Sequence, residues 1–149
     1  MTREVIRPAE TVQAMADRLR QATPASVELT LDLSAPEDTV LFDASQLETV
    51  LLDLVAVGGE QLRGAGRLKL SVDIEVLQNH VVGAVSLSGD HLVIALQVEG
   101  EVVGTPRESD PRLASIQGMV TQGGGHVEIV TEESRISLRV LLPLAAAQD

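Results

Sequence analysis

Behind Pro8, Val12, Met15, Ala16 and Leu19 recur at i, i+3, i+4 and i+7, which lays one apolar stripe along a single helix ending before Pro24. The period then shortens to two. Val27, Leu29, Leu31 and Leu33 alternate with Glu28, Thr30 and Asp32, the pattern of a half-buried strand, and a turn follows from Ser34 to Asp38. Thr39 to Phe42 is a short apolar run. Asp43, with Gln46 three residues on, resembles a capping box opening a second helix that carries Leu47, Val50, Leu51 and Leu54. Gly58, Gly59, Gly64 and Gly66 weaken and end that helix and read as a turn. Leu68, Leu70, Val72, Ile74 and Val76 alternate with polar residues, as do Leu92, Ile94, Leu96 and Val98, so the two runs predict a hairpin looping near Ser88-Gly89-Asp90. Asp110-Pro111 opens a third helix with Leu113, Ile116 and Val120 inward, stopped by Gly123-Gly124-Gly125. Val127 and Ile129, then Ile136, Leu138, Val140 and Leu142, predict a closing hairpin turned around Glu132 to Arg135. This order predicts an α+β fold, a two-layer α/β sandwich with three helices packed on one face of a mixed, mostly antiparallel sheet. The chain reads as one domain over 1–149, with 1–7 and 144–149 as frayed ends.

Composition narrows the chemistry. The 149 residues are 44% apolar and 22% charged, enough to build one aliphatic core. Phe42 is the sole aromatic residue, which excludes base-stacking platforms and aromatic cages. A net charge of −11 repels phosphate backbones and anionic membranes, so neither nucleic acid nor a membrane is expected as a partner. Cysteine is absent, which removes disulfides and thiolate metal sites. No long apolar run or leader-like N-terminus appears, and the chain reads as cytoplasmic.

Candidate chemistry is sparse. His80, His91 and His126 are scattered without metal-ligand spacing, and no Gly-x-Ser-x-Gly elbow or Gly-Lys-Ser/Thr phosphate loop occurs. No metal site and no catalytic residue is therefore expected. The triple glycine at 123–125 could offer backbone amides to an anion, but its place between a helix and a strand assigns it to the helix stop. Glu37-Asp38 and Glu132-Glu133 lie in predicted turns and read as solvated surface.

Several stretches nevertheless carry a family likeness. DASQLETVLLDLVAVGGEQLRGAGRLKL, from Asp43 to Leu70, resembles the N-box helix and following strand of the catalytic, ATP-binding domain of bacterial sensor histidine kinases, the Bergerat-type ATPase fold. LASIQGMVTQGGGHVEI, from Leu113 to Ile129, resembles the segment after that family's G-box, and Arg139 to Pro143 looks like its closing strand. The opening, Pro8 to Leu33, is similar to the first helix and strand of the phosphorelay-linked hybrid kinases.

What the resemblance implies at each nucleotide-site position is mostly loss. The family's first N-box asparagine corresponds to Asp53, and its magnesium-coordinating asparagine to Val57, which has no oxygen to offer a hard cation. Glu99 stands where an aspartate meets the adenine amino group. Glu101 and Val103 occupy the glycine positions of the turn that follows, within Gly100-Glu101-Val102-Val103-Gly104. Between Gly104 and Asp110 too few residues remain for an ATP lid. The family's Gly-x-Gly pair at a helix N-terminus corresponds to Asp110 and Arg112, with Pro111 between them. A helix start holds phosphate through free amides and its positive dipole end; Pro111 removes one amide and an Asp110 cap would occupy others. Micromolar affinity is about −8 kcal/mol, and losing the metal ligand, the cradle and the lid at roughly 1.5–3 kcal/mol each removes most of it.

His80 and His91 are followed by Val-Val-Gly and Leu-Val-Ile, so no phosphoacceptor segment of the family's kind is present, and a hairpin bearing one is expected only outside this chain. The resemblance therefore implies a degenerate, nucleotide-free ATPase-like domain. Its expected role is a binding or scaffold module in two-component phosphorelay signalling, docking a receiver domain or a kinase dimerisation hairpin, with homodimerisation as a further option. The alternative is a divergent but active kinase domain that binds ATP and magnesium through Glu99 and a rebuilt loop. A purely structural or dimerising domain is the third reading.

Overall fold

A computed structural model describes residues 2–103, 110–132 and 135–145. In chain order the elements are β1 (Glu4–Ile6), α1 (Pro8–Ala14), α2 (Ala16–Gln21), β2 (Val27–Leu33), β3 (Val40–Phe42), α3 (Ala44–Glu60), β4 (Leu62–Val82), β5 (Val85–Val102), α4 (Pro111–Gln122), β6 (His126–Glu132) and β7 (Arg135–Pro143). Five strands form a sheet in the order β2-β4-β5-β7-β6. β1 and β3 make a separate antiparallel pair. β2 lies parallel to β4, and α3 lies in the crossover that such a pair needs; the other ladders are antiparallel. The architecture is the expected α/β sandwich, with the helices on one face of a mixed sheet.

Register follows from burial. Leu68 pairs with both Leu29 and Val98, Ile94 with Val140, and Leu138 with both Leu96 and Ile129, so one face of every strand is aliphatic. That face meets Leu47, Val50, Leu51, Leu54 and Val57 of α3 and Leu113, Ile116 and Val120 of α4, all essentially without solvent contact. Each such leucine or valine contributes roughly 1.5–3 kcal/mol through burial, and a one-residue slip would turn a whole strand's set outward.

Four local expectations are corrected. The first helix breaks at Met15 (φ −96°, ψ 5°) into α1 and α2. Met15 is buried and its N–H reaches both Thr11 O and Val12 O at 3.1 Å, a tightened turn that redirects the chain while keeping Met15 and Leu19 in the core. Gly58 and Gly59 do not end α3, which runs on to Glu60. A Cβ on Gly58 would lie 2.4 Å from Leu96 Cδ2, so close helix–sheet approach offsets the poor helix propensity of glycine. Gly64 and Gly66 lie in β4, beside a bulge between Leu62 and Gly66. The hairpin turns at 83–84, not at Ser88-Gly89-Asp90, which belongs to β5.

The chain's start is also ordered by partners. Instead of fraying, Glu4, Val5 and Ile6 pair with Phe42, Leu41 and Val40, and the Thr2 N–H donates to Asp43 Oδ2 at 2.7 Å. At the other end Leu144 bridges to Val40 and the Ala145 N–H donates to Thr39 O. Residues 146–149 and 133–134, the latter at the predicted closing turn, lie outside the described residues. No helix among those described is long and apolar enough to cross a membrane.

Candidate functional site

The site builds from the facing ends of α3 and α4. Asp43 caps α3: its Oδ1 accepts from the Gln46 N–H at 2.9 Å and the Ser45 hydroxyl at 2.7 Å, and with Thr2 these donors hold its carboxyl down to about 2. From that start the apolar period carries α3 through Asp53 and Val57 to Glu60 at its far end. α4 opens there. Pro111 is its first residue, and the Asp110 carboxylate accepts from the Arg112 N–H at 2.9 Å, so the helix caps itself.

Arg112 then closes the gap between the helices. Its guanidinium pairs with Glu60 of α3 and lies 3.6 Å from Asp110 Oδ1. These partners, Glu60 first, raise its affinity for its proton further above the ordinary range. Asp53, half-buried on α3, belongs to the same cluster: desolvation pushes its carboxyl up, the Asp110 charge adds to this, and Arg112 opposes it. Two turns of chemistry meet here that sequence spacing left far apart. Asp53, Asp110 and Arg112 come together; Glu60 was not singled out from the sequence, because a glutamate at a helix end is ordinary until its partner is known.

The other expected positions lie differently. Val57 is fully buried, and its carbonyl accepts from Gln61 Nε2 at 3.2 Å. Val103 is half exposed, with its N–H donating to Gln61 O at 2.7 Å. Glu101 is exposed and 3.9 Å from Arg63. Glu99 follows the buried Val98 in β5 and is flanked across the ladders by Arg67 and Arg135, so alternation directs it to the face away from the helices. The stretch read as too short for a lid falls at 104–109, outside the described residues.

The glycine stop behaves as a stop. Gly123 caps α4, Gly124 adopts φ +85°, and the Gly125 N–H returns to Val120 O at 2.9 Å. Among the described residues, no three His, Cys, Asp or Glu side chains gather to hold a metal ion. Two surface cavities, of about 480 and 540 Å³, lie against α1 and share Glu10 in their walls; neither is lined by the residues between α3 and α4.

With that geometry in view, the fold has clear counterparts. A mycobacterial sensor histidine kinase, MprB, superposes with TM-score 0.70 at 14% identity, over 96% of this chain and 98% of that one. The catalytic domain of the histidine kinase ThkA gives TM-score 0.67 at 12% identity, over 96% and 97%. The histidine kinase AdeS of Acinetobacter baumannii gives 0.64 at 21% identity, over 97% of this chain and 68% of that chain. No protein-family model and no curated protein matches the sequence. The chain thus has the fold of the catalytic ATPase domains of sensor histidine kinases.

Proposed function

We propose that this domain is a degenerate ATPase-fold module that binds protein partners in two-component phosphorelay signalling and does not bind ATP. The observation that carries this reading is the amino end of α4, where Asp110 caps the helix and Arg112 is pinned to Glu60. A magnesium triphosphate does not suit these residues. The amides and dipole that would attract its phosphates already face a carboxylate, Pro111 lacks an amide, and Val57 presents no oxygen to magnesium. Glu99 on the opposite face argues against the active-kinase alternative. With no nucleotide to carry, what such a fold retains is surface. Its helical faces suit a receiver domain or a kinase dimerisation hairpin, and a second copy of the chain is the further option.

Calorimetric titration with Mg-ATP and Mg-ADP tests the nucleotide half of the proposal. The expected outcome is no saturable heat below about millimolar nucleotide; a micromolar site would overturn it. Chemical-shift mapping against receiver domains tests the other half, with perturbations confined to helical surface residues expected and uniform absence of shifts counting against a phosphorelay role.

A further inference from the structure

The two outer strands of the five-stranded sheet differ in how well each would tolerate a copy of itself. Among the described residues no strand lies against the outer edge of β2 or of β6. Edges left open in this way are ordinarily guarded by proline, lysine, a bulge or opposed charge. β2 is guarded: a two-fold axis through its midpoint, Thr30, would set the exposed Glu28 against the exposed Asp32 of the second copy. β6 contains neither proline nor lysine and runs in unbroken register with β7. A two-fold axis through its midpoint, Ile129, sets His126 against Glu132 and Glu128 against Val130 on the outer face, and Val127 against Thr131 on the helix face, so no like charges oppose each other. From His126 to Val130 every side chain is only half-buried; Val127 and Ile129 pack on the core yet keep solvent contact that a neighbouring strand would remove.

We propose that the edge of β6 is the contact through which two copies of this chain associate, pairing antiparallel about Ile129 to join two five-stranded sheets into one. This takes up the second-copy option of the proposed function and rests on that option alone. The overall charge selects the place. Two chains of net charge −11 repel wherever their surfaces are acidic, but between Arg112 and Thr131 the only titratable side chains are His126 and Glu128. Glu128 is engaged within its own chain: Arg139 Nε donates to it at 2.8 Å, His80 Nε2 lies 3.0 Å away, and the same guanidinium donates to Glu75 at 2.8 and 2.9 Å. α4, which packs over β6, extends the neutral surface. Arg112 marks the side of α4 turned to Glu60 of α3, and the opposite side carries the exposed Ala114, Gln117 and Thr121. Strand edge and helix flank thus form one surface depleted of charge, as the centre of an interface is, and self-complementary, as a two-fold contact requires.

Sedimentation velocity of the nucleotide-free chain in about 150 mM sodium chloride, from about 5 to about 500 µM protein, tests this, with a monomer–dimer equilibrium expected inside that range. Thr131→Lys puts an ammonium on the exposed end of β6, opposite Val127 of the copy, and Thr30→Lys makes the same charge change on β2. Thr131→Lys is expected to weaken the dimer at least about tenfold although it lowers the repulsion between chains, and Thr30→Lys to leave it within about twofold. Amide hydrogen exchange of the wild type reads the pairing without any variant. The β6 amides that point away from β7, every second residue, should slow at least about fivefold from the dilute to the concentrated end, while those of β2 stay level. A chain still monomeric at about 500 µM, a dimer that Thr131→Lys leaves intact or Thr30→Lys weakens equally, or β6 amides that exchange alike at both ends overturns the proposal. None of these outcomes involves Mg-ATP, so the nucleotide reading stands or falls separately on its own titration.

Discussion

Val57, which the family resemblance leads one to expect at a magnesium-ligand position, is a fully buried wall of the core. Replacing it with asparagine therefore buries an amide among aliphatic side chains and is expected to cost about 1–3 kcal/mol without creating nucleotide affinity. Urea midpoints of the two proteins, each with and without Mg-ATP, check this; stabilisation by nucleotide in either would count against it. Two aspartates give opposite pH signatures. Asp43 has its carboxyl held down to about 2 by N–H and O–H donors, so its ionised form supports the fold above the ordinary value of 3.8 and that support fades as pH falls toward about 2. Asp53 is pushed up by desolvation, so the folded protein binds its proton more tightly than the unfolded chain, and stability falls as pH rises through the raised value. Asp43→Ala is expected to lower Tm at neutral pH and to converge on the wild type in acid, whereas Asp53→Asn should raise Tm at neutral pH and lose that gain in acid. Melting curves against pH separate the two.

At the scale of elements, glycines divide by what surrounds them. Gly118 lies on the exposed side of α4 with open space where a Cβ would go, so Gly118→Ala is expected to stabilise by about 0.5–1 kcal/mol through helix propensity. A Cβ on Gly123 would lie 2.1 Å from Phe42 Cε1, and Gly123→Ala is expected to cost about 1–3 kcal/mol by displacing that fully buried ring. Chemical denaturation of the two variants gives the signs. Both residues look alike in the sequence, inside or just beyond one predicted helix, and the difference lies in β3, which brings Phe42 to the end of α4. The same reason explains why α3 continues through Gly58: its propensity is poor, but only a residue without a side chain fits against Leu96. Local punctuation was legible wherever it was local. Asp43 and Asp110 cap helices, Gly123 to Gly125 end one, and each acts through backbone groups within a few residues.

For the whole molecule, the excess of acid matters more than any one pair. Eleven Lys and Arg face 22 Asp and Glu, and most ion pairs among the described residues are exposed, such as Arg7–Glu10 and Arg18–Glu48, so they offset little of the self-repulsion. Raising salt from about 10 mM to about 150 mM shortens the screening length from roughly 30 to 8 Å and is expected to raise Tm by a few degrees. Scanning calorimetry in sodium chloride checks it. A fall in Tm would mean that the clusters at Arg112 and Arg139 hold the fold more than the overall charge opposes it.

The sequence by itself determined the class of fold, because aliphatic periods of two and 3.6 select strands and helices, and a face that must be buried leaves one stacking of those elements. It also determined the self-capping of α4, since Asp110, Pro111 and Arg112 are adjacent in the chain. Tertiary structure alone decided the rest. Met15 breaks a helix whose stripe is continuous, and the break leaves both Met15 and Leu19 buried. Glu60 becomes part of the site only when α4 arrives beside the end of α3. His80, Glu75, Glu128 and Arg139 are separated by up to 64 residues along the chain and meet only through the fold of the sheet, and Gly89 reads as part of a loop until the register places it inside β5. Periodicity reports which side of an element is buried; it carries no information about which charged residues meet across the other side, where pairing is set by register, twist and the path of the chain.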